Sequence, residues 1–151
     1  MNPFIEKILG NVPKTTQPKP VAHDDNVYVI GKIYAKWCVH CKSLAPKWKN
    51  LVKIIRTKIP KNKLKISEIE SKTLDAELSI LNQKYLSNSH EKVEIQEGYP
   101  TIFKIVNGKI YYYDGPREES PMLKWAMKDK PYFGNTKKNR SAKNKTRKMR
   151  N

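Results

Sequence analysis

No run of 18 apolar residues occurs in this sequence, so no segment reads as a membrane-spanning helix. The first ten residues lack a basic n-region, a sufficient apolar stretch and a small-residue cleavage site, and the final Lys-Met-Arg-Asn is no retention signal. The expectation is therefore a chain that stays in the cytoplasm. No internal repeat is visible. Cysteine is scarce, Cys38 and Cys41 being the only two, and in a reducing compartment such a pair serves catalysis or metal binding more readily than it staples a fold. Acid is scarce too: 14 Asp and Glu face 31 Lys and Arg, a formal net charge of +17. That charge favours solubility and attracts nucleic acid, anionic surfaces or acidic proteins, and it specifies no fold.

What is present divides into three. Residues 1–25 form an arm whose Phe4, Ile5, Ile8 and Leu9 suit a short amphipathic turn, followed by a stiff linker carrying Pro13, Pro18 and Pro20. Residues 131–151 carry eight basic residues, all between 137 and 150, and no acid. Their polar composition buries too little surface to offset ordering entropy and reads as a disordered basic tail. The 151 residues then leave one domain with a proper core, residues 26–130.

Within it, Val27 to Tyr34 is almost continuously apolar and rich in β-branched and aromatic residues, as a strand covered on both faces would be. The two cysteines follow at once. Leu44, Trp48, Leu51, Val52, Ile55 and Ile59 then recur at helical spacing up to Pro60. Residues 64–70 alternate as a strand with Leu64, Ile66 and Ile69 inward, the change of parity leaving its end open. Leu74, Leu78, Leu81 and Tyr85 mark a second helix, and residues 87–97 a loop. Asn107-Gly108 between two β-rich runs signals a hairpin, and a last helix after Pro116 packs Leu123, Trp125 and Met127 inward. The order β, α, β, α, β, β, α predicts an α/β fold with a mixed central sheet flanked by helices.

The cysteines can do redox chemistry, hold a metal or fill space. A closed zinc site needs four ligands, and this chain adds only His23, His40 and His90, scattered along its length, so no metal is expected. A disulfide across two residues closes almost no loop entropy, which disfavours a structural bridge. A strand-to-helix junction, by contrast, puts Cys38 at a helix N-terminus, where free N–H groups and the macrodipole favour a thiolate, and His40 adds positive charge or a hydrogen bond. Lowering a thiol pKa from about 8.5 to about 7 raises the thiolate fraction at pH 7 from roughly 3% to roughly 50%.

Trp37-Cys38-Val39-His40-Cys41 at that junction, Pro46 in the helix after it, Gly98-Tyr99-Pro100-Thr101 at the start of the hairpin and Asp114-Gly115 before the last helix together resemble the thioredoxin superfamily. His40 as the second intervening residue is similar to protein disulfide isomerase domains, whereas Val39 departs from both groups. The resemblance implies a thioredoxin-like fold and a thiol–disulfide oxidoreductase acting on protein thiols and disulfides, with Cys38 attacking and Cys41 resolving. It implies a cis Pro100 against the active site, Tyr99 pairing through its backbone with an extended substrate, Trp37 covering one side, and no cofactor beyond the Cys38–Cys41 disulfide. A monomer is expected.

One position departs from the resemblance. Six residues before the first cysteine the relatives carry a buried carboxylate, and here stands Lys32. A lysine buried there must snorkel, titrate low or find an acid, for which Glu68 on the neighbouring strand is the candidate. The competing reading of the whole is a basic interaction protein on the same scaffold, binding nucleic acid or acidic partners through residues 137–150. Composition rich in Lys, Asn and Ile is also like that of basic thioredoxin-like proteins of large DNA viruses, an analogy that suggests packaging in a virion.

Overall fold

The computed structural model describes residues 26–131. The N-terminal arm and Pro-rich linker of residues 1–25, and the basic tail with residues 137–150, lie outside the described residues.

Strand β1, Tyr28–Tyr34, is buried from Tyr28 to Ile33. Its apolar continuity is explained by its place in the sheet. It pairs in parallel with β2, Leu64–Glu70, and antiparallel with β3, Thr101–Val106, in the order β2-β1-β3-β4. Strand β4, Lys109–Tyr113, closes a hairpin on β3 through Asn107 and Gly108, whose φ angles of 50° and 74° are those a primed turn demands. Helices α1, Val39–Lys58, and α3, Glu119–Met127, lie on one face of the sheet, and α2, Leu74–Tyr85, on the other. This is the single-domain, thioredoxin-like α/β architecture.

Strand alternation sorts the core into two layers. Tyr28, Ile30 and Ile102 meet Leu44, Trp48, Leu51 and Ile55 of α1 on one face. Val29, Ile33, Ile69, Phe103 and Ile105 meet Leu81 and Tyr85 of α2 on the other. The parity change in β2 follows from this division. Leu64 and Ile66 pack half-buried against the α1 layer, while Ile69 is buried in the α2 layer.

The last helix differs from expectation. Leu123, Trp125 and Met127 are only partly buried, and the residues fully inside are Met122 and Ala126, one turn apart. Two buried side chains draw the C-terminal end of α3 onto the sheet. Tyr28 donates to the Ala126 carbonyl at 2.5 Å, and Lys104 Nζ donates to the carbonyls of Trp125 and Lys128 at 2.7 and 2.8 Å. So close an approach favours a small residue at the contact, and the larger ones flank it. At its other end, Glu118 takes a hydrogen bond from Lys47 and Glu119 one from Asn50, both at 2.7 Å, which ties α3 to α1.

Gly31 sits in the middle of β1 with its cross-strand partner Phe103 folded over it; an added Cβ would run into that ring and come within 2.9 Å of the Ser67 carbonyl. Gly31→Ala is expected to destabilise the fold by about 1–3 kcal/mol, the usual cost of overpacking a filled core. Urea denaturation measures it, and an unchanged midpoint would contradict the packing described.

Candidate active site

β1 ends at Tyr34, and four residues later Cys38 stands as the N-cap of α1, with extended backbone at φ −79° and ψ 119°. In that position its sulfur does what a serine or aspartate oxygen does at other helices: it accepts the Cys41 backbone N–H, at 3.2 Å. The first turn contains no acid to offset the positive end of the dipole. Across the site the Cys38 thiol donates to the Tyr99 carbonyl at 3.5 Å, and the Tyr99–Pro100 peptide is cis. Ala35, Cys38 and Cys41 form a small buried cluster that Tyr34 and Tyr99 flank, and both sulfurs are free thiols.

The lip of the site is apolar and open. Trp37 and Val39 are each 71% exposed, and Trp37 meets Tyr99 edge to face at 5.7 Å. Beside them runs a groove lined by Gly98, Tyr99, Pro100, Asp114, Gly115 and Arg117.

The two thiols are driven apart electrostatically. Burial pushes the Cys38 thiol up, but hydrogen bonds from the Cys41 side chain and from the backbone N–H groups of Cys41 and His40, with the charge of Arg117, outweigh it and hold Cys38 below the ordinary thiol range. Burial also pushes Cys41 up, helped by its hydrogen bond to Cys38 and by the Cys38 charge, while the Ala35 backbone and Lys32 pull the other way. A low and a high thiol side by side suit different chemistry, the one ionising readily and the other staying protonated.

His40 reaches Cys38 through its main chain, and its ring is exposed. Lys32 is only 7% exposed. It stands opposite Glu68 in the parallel register, and its Nζ lies 3.8 Å from Glu68 Oε1, an ion-pair distance longer than a hydrogen bond. The rings of Tyr34 and Trp48 lie 4.9 and 5.6 Å from the same nitrogen. Burial pulls Lys32 below the usual lysine range, against the charges of Glu68 and Cys41. Among the described residues no group of three or more His, Cys, Asp and Glu is placed to hold a metal, and no helix is long and apolar enough to cross a membrane.

Two residues escaped the sequence reading. Arg117 acts on Cys38 from the turn before α3, and its signal was its isolation: it is the sole basic residue between Lys109 and Lys124. Lys104, 2% exposed, fastens the C-terminal end of α3, opposite the turn that carries Arg117. Nothing in the alternating pattern of β3 separates a buried lysine from a solvated one.

A thioredoxin family model matches residues 12–128. The chain is 32% identical over 104 residues to Protein disulfide-isomerase 1 of Caenorhabditis elegans, an alignment covering 68% of this chain and 18% of that protein. It is 29% identical over 105 residues to a thioredoxin domain-containing protein of Theileria parva, covering 70% of this chain and 39% of that one. Superposed on Fasciola hepatica thioredoxin, it gives a TM-score of 0.45 at 17% identity over 70% of this chain and 83% of the other. The chain spans 14–18% of the first three isomerases it matches.

The electrostatics lead to a pH prediction. Alkylation of Cys38 in the reduced protein should have its midpoint below that of an ordinary thiol. Arg117→Gln should move the midpoint upward, and salt at about 1 M, where the Debye length is near 3 Å, should narrow the difference. A midpoint indifferent to both would remove Arg117 from the site.

Proposed function

The chain belongs to the thioredoxin family, and from that premise we propose that it exchanges disulfides with protein substrates through Cys38 as nucleophile and Cys41 as resolving thiol. The observation that carries this reading is the placing of the Cys38 sulfur, capped by the Cys41 N–H on one side and set against the Tyr99 carbonyl on the other.

In the reducing direction the Cys38 thiolate attacks one sulfur of a client disulfide. A Cys38–client bond forms, and the second client sulfur leaves as a thiolate and takes a proton. Cys41 then loses its proton and attacks Cys38 Sγ, which forms the Cys38–Cys41 disulfide and expels the first client sulfur. Two electrons and two protons have passed to the client. Run backwards, the same steps oxidise a client dithiol, and a dithiol or disulfide partner resets the pair. No other cofactor enters.

The surroundings suit an extended polypeptide. Tyr99 offers backbone groups for strand-like pairing, and Trp37 and Val39 offer apolar surface at the point of attack. Along α1 the exposed Lys42, Lys49, Lys53 and Arg56 raise the local potential and favour acidic clients. The isomerase-like His40 supports a couple more oxidising than that of thioredoxin.

Insulin reduction and oxidative refolding of a scrambled protein test the assignment. Cys38→Ser is expected to abolish turnover in both, and Cys41→Ser to accumulate a mixed disulfide that added thiol releases. Turnover that survives Cys38→Ser would overturn the reading.

A further inference from the structure

Resolution of the mixed disulfide asks Cys41 to become an anion in a place hostile to anions, since it is 5% exposed and lies among Ala35, Tyr34 and Tyr99. A buried thiol titrates high unless a cation faces it. Cys41, Leu44 and Trp48 share the inward stripe of α1, and the Lys32 ammonium lies beneath that stripe, 5.6 Å from the Trp48 ring. Among the described residues the charged groups that act on Cys41 are Cys38 and Lys32, and only Lys32 is positive.

Lys32 has more than a desolvated slot around it. The Glu68 carboxylate stands 3.8 Å away, half-exposed at the edge of the sheet, and the π faces of Tyr34 and Trp48 supply further negative potential. Each of these stabilises the ammonium over the free amine. They oppose burial, which alone would neutralise it.

We propose that Lys32 stays charged in the folded protein and acts as the positioning cation for catalysis, stabilising the Cys41 thiolate that attacks the mixed disulfide, with Glu68 holding the ammonium in place. This rests on Cys41 being the resolving thiol. The proton that Cys41 gives up ends on the departing client sulfur, so Lys32 exchanges none and no bond is made to it. The role is electrostatic, and it belongs to the second step alone: Cys38 draws its own stabilisation from the helix terminus and Arg117.

The test separates the two steps. In a Cys38→Ser background the thiolate absorbance of Cys41 is titrated with Lys32, Lys32→Met and Lys32→Arg. Methionine fills the slot without charge, arginine fills it with one. The Met variant should titrate higher and resolve a preformed mixed disulfide about tenfold more slowly at pH 7, the change in thiolate fraction that accompanies one unit of pKa. The deficit should shrink as pH rises, and Lys32→Arg should restore most of the rate. Trapping of client by Cys38 in a Cys41→Ser background should be the same with Lys32 or Met, whereas its absence in both would indict the oxidoreductase reading instead. Glu68→Gln, at a half-exposed position, supplies a second measurement that does not depend on a foldable Met variant. It removes the carboxylate that keeps the ammonium charged and in place, so Cys41 should titrate higher than in the parent. A Cys41 titration indifferent to Lys32→Met, an Arg variant as slow as Met, or a Glu68→Gln titration that is unchanged or lowered would each overturn the proposal.

Discussion

A backbone N–H of Cys41 resting on the sulfur of Cys38 is the contact to which the rest of this structure is subordinate. A helix must satisfy its first N–H groups, and here a thiol does so, which couples folding of α1 to ionisation of Cys38. The contact requires that the chain leave the sheet at one place and turn at once. β1 meets that requirement by being buried along nearly its whole length, so that its end cannot slip. The loop with the cis proline closes the other side, and α3, fastened at both ends, follows the turn that carries Arg117, whose charge lowers the Cys38 thiol.

Two lysines on the same face of the sheet show how one physical problem acquires two meanings. Lys104 and Lys32 are both nearly inaccessible, and both are pulled below the usual lysine range by burial. Lys104 ends on two main-chain carbonyls at the C-terminus of α3, where partial negative charge has accumulated, and it stacks by Tyr111 and Trp125. Its hydrogen bonds are directed and it holds the helix down. Lys32 has a carboxylate at ion-pair distance and two rings, none of which fixes it as firmly. Its field therefore remains available to the neighbouring thiol.

Much of this was legible in the sequence because it is local. The apolar run from Val27 to Tyr34, the cysteines directly after it, the helical spacing through Ile55 and the Asn107-Gly108 turn each follow from neighbours within a few residues. Lys32 facing Glu68 was also readable, since parallel strands in a strand-helix-strand unit run side by side. What was hidden depends on distant segments arriving together. The inward choice of Met122 and Ala126 over Leu123 and Trp125 is made by Tyr28 and Lys104, which lie 98 residues and about twenty residues earlier in the chain. Arg117 gains its role only because α3 is pinned to α1, and the burial of Lys104 only because helix carbonyls await it.

The reduction potential of the Cys38–Cys41 couple tests the central claim most directly, measured by equilibrating the protein in glutathione buffers and counting free thiols. A low thiol at a helix N-cap next to a high one predicts a single reversible two-electron transition, at a potential less negative than the roughly −270 mV of thioredoxin. Two cysteines that titrate independently, or that form mixed disulfides with glutathione and never a bond to each other, would contradict it.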